Sequence, residues 1–102
     1  MAGHKPSILW SPEARADLIR IWDYYVSVAG IHTAEDIVSE IGKVCSVLEQ
    51  HPLAGRSRSE VRPGLRCAVA NPHIVFYRIK DGTAQIVRVL DERQDIDELF
   101  AH

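Results

Sequence analysis

Cysteine is scarce in this chain. Only Cys45 and Cys67 occur among 102 residues, and they do not form a C-x-x-C pair. Both fall inside apolar patterns, so they read as buried free thiols in a reducing cytoplasm rather than as a redox couple. No apolar run approaches the roughly 18 residues that a membrane helix needs. Residues 1–7 have no apolar stretch of the kind that makes a signal peptide, so a cytoplasmic location is expected. None of the five histidines has metal-ligand spacing, and no metal or other cofactor is expected. A basic excess is also missing. Twelve Lys and Arg stand against 14 Asp and Glu, giving a formal charge of −2. Bulk electrostatics would therefore attract nucleic acid only weakly, and any such contact must come from a local cluster.

What is present suits one domain spanning 1–102, with a single modest core: the apolar fraction is 46%. Ile8-Leu9-Trp10 is a short apolar run that reads as an edge strand. Ser11-Pro12-Glu13 then opens a helix, with Ser as N-cap, Pro in the first turn and an acid suited to the helix dipole. Ala14, Leu18, Ile21, Trp22, Tyr25 and Ala29 recur at helical spacing. Asp17, Arg20, Asp23 and Ser27 fall on the opposite side. Ile19 and Val26 widen the apolar stripe beyond what one packing contact requires. Gly30-Ile31-His32 breaks this helix, and Thr33 starts a second, which His51-Pro52 ends. Two amphipathic helices so joined make an antiparallel hairpin.

Four arginines, Arg56, Arg58, Arg62 and Arg66, then crowd into the connector from Pro52 to Arg66. A solvated loop is the plain reading of such a run; a binding rim is the functional one. Three strands follow, at 65–70, 73–80 and 83–90, with an Asp81-Gly82 hairpin turn between the last two. Ile96, Leu99 and Phe100 suit a short terminal helix. A two-residue turn places Phe76 opposite Val87 and Ile74 opposite Val89. The helical hairpin is expected to cover that apolar face. Tyr77, Arg88 and His73 would then look outward, with Asp91 or Glu60 available as a partner for Arg88.

The ordered set Trp10-Ser-Pro-Glu-Ala14, Pro52-Leu-Ala-Gly-Arg56, Arg62-Pro-Gly-Leu-Arg66, Ile74-Val-Phe-Tyr-Arg78, Ile86-Val-Arg-Val-Leu90 and Arg93-Gln-Asp-Ile96 resembles the ParE branch of the RelE/ParE toxin superfamily, from type II toxin–antitoxin (plasmid stabilisation) modules. The resemblance implies an α+β fold: a short N-terminal strand, an antiparallel helical hairpin packed on an antiparallel β-sheet, and a short C-terminal helix. It implies a toxin that inhibits DNA gyrase by binding, without catalysis, and that a ParD-like antitoxin neutralises. DNA would be touched only indirectly, through the antitoxin. Target contacts are expected from Arg56, Arg58, Arg62, Arg66, Tyr77, Arg88, Asp91 and Arg93, and antitoxin contacts from Ile19, Trp22 and Val26. The alternative is a RelE-like, ribosome-dependent mRNA endonuclease using Arg66, Arg88 and Tyr77. Asp91 speaks against it, because a carboxylate there would repel a phosphate. A third possibility is a decayed toxin kept as a binding module.

Overall fold

A computed structural model describes residues 8–100. His4 and His102 lie outside them. The elements run β1 (Leu9–Trp10), α1 (Pro12–Ala29), α2 (Ile31–Gln50), a 3-10 turn (Pro52–Ala54), β2 (Arg56–Ser57), β3 (Arg66–Ala70), β4 (His73–Lys80), β5 (Thr83–Asp91) and α3 (Ile96–Leu99). The five strands form one sheet in the order β1-β5-β4-β3-β2. All neighbours are antiparallel except β1, which lies parallel to β5 at the edge.

Local chemistry sets the helices. The Ser11 hydroxyl accepts from the Ala14 amide at 3.0 Å and donates to the Val87 carbonyl at 2.9 Å, so one side chain caps α1 and ties it to β5. Gly30, at φ 94°, both ends α1 and starts α2. Its N–H reaches the Val26 carbonyl and its carbonyl receives the Ala34 amide. The second helix therefore begins at Ile31, two residues earlier than the sequence suggests. A glycine in this conformation makes the turn alone, and no three-residue loop is needed. The connector, expected to be irregular, contributes the 3-10 turn and β2 as an outer edge strand.

The sheet has a packed cluster on each side. Ala14, Ile41, Cys45 and Leu48 of the helices meet Val75, Tyr77, Ala84, Ile86 and Val89 on one. On the other, Phe76 and Leu90 meet Leu65, Cys67 and Phe100, so the connector and the C-terminal segment cover that side. This reverses the expected orientation: the helices lie on the Tyr77 face, not on the Phe76 face. The Asp81-Gly82 turn does set the foreseen register, pairing Lys80 with Thr83 and Arg78 with Gln85. A bulge then intervenes. Tyr77 pairs with Ile86 and Phe76 with Arg88, leaving Val87 as the extra residue. The bulge brings Val89 onto the helix side and moves Arg88 off it. The charge that seemed to bar that face from the interior is simply not there.

Candidate binding site

The sheet face away from the helices carries most of the arginines. Arg78 on β4 and Gln85 on β5 sit opposite one another, and the Arg78 Nε donates to Gln85 Oε1 at 2.6 Å. Arg88, carried over by the bulge, joins them. Arg62 comes from the connector, donates to the Phe100 carbonyl at 3.5 Å and holds its guanidinium carbon 5.2 Å from the centre of the Phe100 ring. These three arginines line one cleft of about 490 Å³, floored by Val87 and walled by Leu99 and Phe100, with the cap residue Ser11 and Glu13 of α1 at its rim. By register Arg56 shares the face of Cys67, farther out on the same side. Arg58 is tied to Glu60 at 2.7 Å, which holds the Glu60 carboxyl below its ordinary range.

The bidentate partner of Arg88 is Asp17, at 2.7 and 2.9 Å, and neither Asp91 nor Glu60. Sequence periodicity puts Asp17 on the wet side of α1, yet it is only 1% exposed. Its carboxylate also receives Arg20 and the Val89 amide. The paired residues of β1 extend only along Gln85 and Ile86. Past that point the β5 edge has an amide to satisfy, and Asp17 satisfies it. The carboxylate keeps the Arg88 guanidinium more firmly protonated than an ordinary arginine.

The expected target set thus divides among three places. Arg56, Arg58, Arg62 and Arg88 lie on or around the outward face. Arg66 and Tyr77 do not: Tyr77 is fully buried on the helix side. Its hydroxyl donates to the Pro52 carbonyl at 2.6 Å and accepts from the Gly55 amide at 3.0 Å and from Arg66 Nε at 3.3 Å. Arg66 also donates to the Gly55 carbonyl at 2.6 Å. Together they pin the connector to the sheet. The catalytic set of the endonuclease alternative is therefore not assembled, because Arg88 is separated from Arg66 and Tyr77 by the sheet itself. Asp91 and Arg93 pair with each other at 3.0 and 3.1 Å and line a different cleft, beside α1. Arg78 is the residue that sequence reasoning missed. Strand alternation puts it on the Phe76 side, the face expected to lie under the helices, and only the reversed orientation exposes it.

Of the three residues expected to meet an antitoxin, Ile19 and Val26 are exposed at 64% and 38%, and Trp22 is half-buried. Their spacing places them along one side of α1. Exposed apolar side chains in a row are a docking feature, although surface apolar atoms are common.

His73, expected to face outward, is 3% exposed and lies with its ring 6.0 Å from that of Tyr25, edge to face. Burial pushes its imidazole below the ordinary 6.5, and Asp91 opposes this in part. Folding therefore favours the neutral ring. The stability it protects is complete above about pH 6.5 and is lost as pH falls toward the lowered folded value. Urea midpoints measured from pH 7 down to pH 5 should drop more steeply for the native chain than for His73→Phe. Parallel curves would show that His73 does not control this slope.

Among the described residues no group of three or more His, Cys, Asp or Glu is placed to hold a metal ion, and no helix is long and apolar enough to cross a membrane.

Comparison with known proteins gives a consistent picture. A family model described as "ParE toxin of type II toxin-antitoxin system, parDE" matches residues 8–96. A protein named Toxin ParE1 from Mycobacterium tuberculosis is 39% identical over 90 residues, covering 87% of this chain and 92% of that protein. A Toxin ParE1 from Caulobacter vibrioides is 33% identical over 82 residues, covering 80% and 84%. A solved structure described as a chromosomal ParDE TA system from P. aeruginosa aligns with TM-score 0.74 and 31% identity, over 87% of this chain and 98% of that one. A YoeB-YefM complex from Staphylococcus aureus shares the fold, at TM-score 0.57 and 18% identity over 85% and 97%.

Proposed function

Because the chain belongs to the ParE toxin family of type II toxin–antitoxin systems, we propose that it inhibits DNA gyrase by binding and that a ParD-like antitoxin neutralises it. The observation that carries the first part is the outward arginine face. Arg62, Arg78 and Arg88 converge on one cleft whose other lining side chains, among the described residues, offer Glu13 as the one ionisable acid or base. Guanidiniums so placed suit recognition of carboxylates or phosphates; Arg88, whose fork is held by Asp17, contributes its charge and its remaining N–H groups. Cutting RNA without a metal would further require a group to activate the 2′-hydroxyl and another to protonate the leaving oxygen. Support for the antitoxin comes from the exposed run Ile19 and Val26 beside Trp22, which suits an amphipathic helix laid along α1, and from the ParDE system of P. aeruginosa, to which this chain is similar.

Purified protein should inhibit gyrase supercoiling and raise the level of cleaved DNA, with mRNA left intact in cells that express it. Arg62→Glu with Arg78→Glu should abolish both gyrase effects; Arg78 is exposed and adds little to stability, while loss of the Arg62 contact with the Phe100 ring should cost about 1 kcal/mol, which leaves the chain folded. Untouched supercoiling at high toxin excess, together with cut mRNA, would replace this reading with the endonuclease.

A further inference from the structure

A second cleft, of about 730 Å³, opens between α1 and the ends of β4 and β5. The arginine face proposed for gyrase does not use it, although Asp91 and Arg93, expected among the target contacts, line it. Its volume is in the range of small-ligand sites. Ile21, Val89 and Leu90 contribute apolar lining. Tyr24 and Tyr25 stand edge to face at 5.1 Å, and Tyr24 is 57% exposed, so a ring face is open to an occupant.

The charges of this cleft are unequal in reach. Its two carboxylates are spent. Asp17 is buried and accepts from Arg88, Arg20 and the Val89 amide. Asp91 accepts the Arg93 amide and guanidinium. The guanidiniums are not spent. Each carries five N–H groups, of which Arg20 gives one to Asp17 and Arg93 gives two to Asp91. Their side chains are 64% and 83% exposed. Pairing with the Asp91 carboxylate keeps the Arg93 guanidinium firmly protonated. The mouth is therefore rich in donors that protrude; of its two carboxylates Asp17 is buried, and Asp91, partly exposed, has its charge offset by the pairing with Arg93. In the wall, His73 Nδ1 is enclosed and has no hydrogen-bond partner. A buried polar atom left unanswered calls for one, and His73 is among the residues that line the cleft.

An open phenol ring for stacking, cationic forks beside it and an unpaired imidazole nitrogen beneath match a planar base joined to a phosphate. The geometry points to this cleft as a binding site for a nucleotide unit, either free or as the phosphorylated end of a strand. The phosphate lies between Arg93 and Arg20, and the base lies on Tyr24. A peptide carboxylate could use the same arginines but would leave the ring face and His73 unused.

The test is an NMR titration of the full-length chain with 5′-dAMP, deoxyadenosine, inorganic phosphate, a 5′-phosphorylated oligo-dA and oligoglutamate. Saturable shifts should map to Tyr24, Tyr25, His73 and Arg93, and dAMP should bind more tightly than either of its halves. Tyr24→Leu should weaken dAMP and deoxyadenosine by about tenfold while sparing phosphate. Arg93→Ala should weaken dAMP and phosphate while sparing deoxyadenosine. Tighter binding of the oligonucleotide than of dAMP identifies a strand end as the natural occupant; equal binding identifies a free nucleotide. Three outcomes overturn the proposal: no saturable shift at these residues, shifts confined to Arg62, Arg78 and Arg88, or oligoglutamate binding here as tightly as dAMP. None of them bears on gyrase inhibition, which is measured separately.

Discussion

Asp17→Ala should destabilise the fold by about 3 kcal/mol, near the lower end of what breaking a buried ion pair costs. The loss has separable parts. The Val89 amide, now paired at 2.8 Å, becomes a buried donor with no acceptor, which costs about 1–3 kcal/mol. The Arg88 guanidinium loses both carboxylate oxygens. Its side chain is 25% exposed, so water recovers some of that interaction. Arg20 loses a partner too, but it is well exposed and adds little. Asp17→Asn keeps the shape and one acceptor and should lose less. Arg88→Ala should also be milder, since Asp17 then retains Arg20 and the Val89 amide. The double variant should be less destabilised than the sum of the single ones, because each single change strands the other charge. Urea unfolding of the four chains completes the cycle. Strict additivity would mean that the pair contributes nothing of its own. Asp17→Ala should also weaken toxicity at temperatures where the chain remains folded, because Arg88 then leaves the cleft it shares with Arg62 and Arg78.

That prediction could not have been made from the sequence, and the reason is physical. Periodicity assigns Asp17 to the polar side of α1, and on an isolated helix that is where it would lie. What buries it is the end of the two-residue strand β1, which leaves a β5 amide needing an acceptor. Edge accounting of this kind depends on how far a neighbouring strand runs, and nothing local encodes it. The bulge at Val87 is a similar case. The Asp-Gly turn announces itself through the conformations it demands, with Asp81 and Gly82 both at positive φ. The four cross-strand pairs nearest the turn were therefore legible. Beyond Tyr77 and Ile86 the register changes. Two apolar faces competed for the helices, and the apparent position of Arg88 decided wrongly between them. The elements that follow from short-range chemistry, namely the Ser11 cap, the two helices, the three long strands and the terminal apolar turn, were readable in advance. The arginine rim was readable as composition, but its division into an outward face, a buried pin and a second cleft was not.

The pin gives the second large effect. Were the helices packed on the Phe76 face, Phe76→Ala would be the worse loss and Tyr77→Ala a surface change. Both residues are in fact fully buried, one in each cluster. Removing either ring should cost about 3–5 kcal/mol. Tyr77→Ala should be the larger of the two, because Phe76 carries no polar group whereas the Tyr77 hydroxyl answers three others. Tyr77→Phe isolates that contribution. The ring remains, but the Gly55 amide and Pro52 carbonyl lose their partner, for a loss of about 1–3 kcal/mol. Gly55 makes the same point from the opposite side. A Cβ there would stand 2.5 Å from both the Cys67 carbonyl oxygen and the Tyr77 hydroxyl, so Gly55→Ala must push the connector off the sheet. Since Arg66 is held by the same hydroxyl and by the Gly55 carbonyl, each of these changes should loosen the arginine connector as a unit. Hydrogen exchange at the Gly55 and Arg58 amides, with urea midpoints alongside, measures this directly. Tyr77→Phe that left both amides as protected as before would show that the hydroxyl is a passenger and that the connector is held by other contacts.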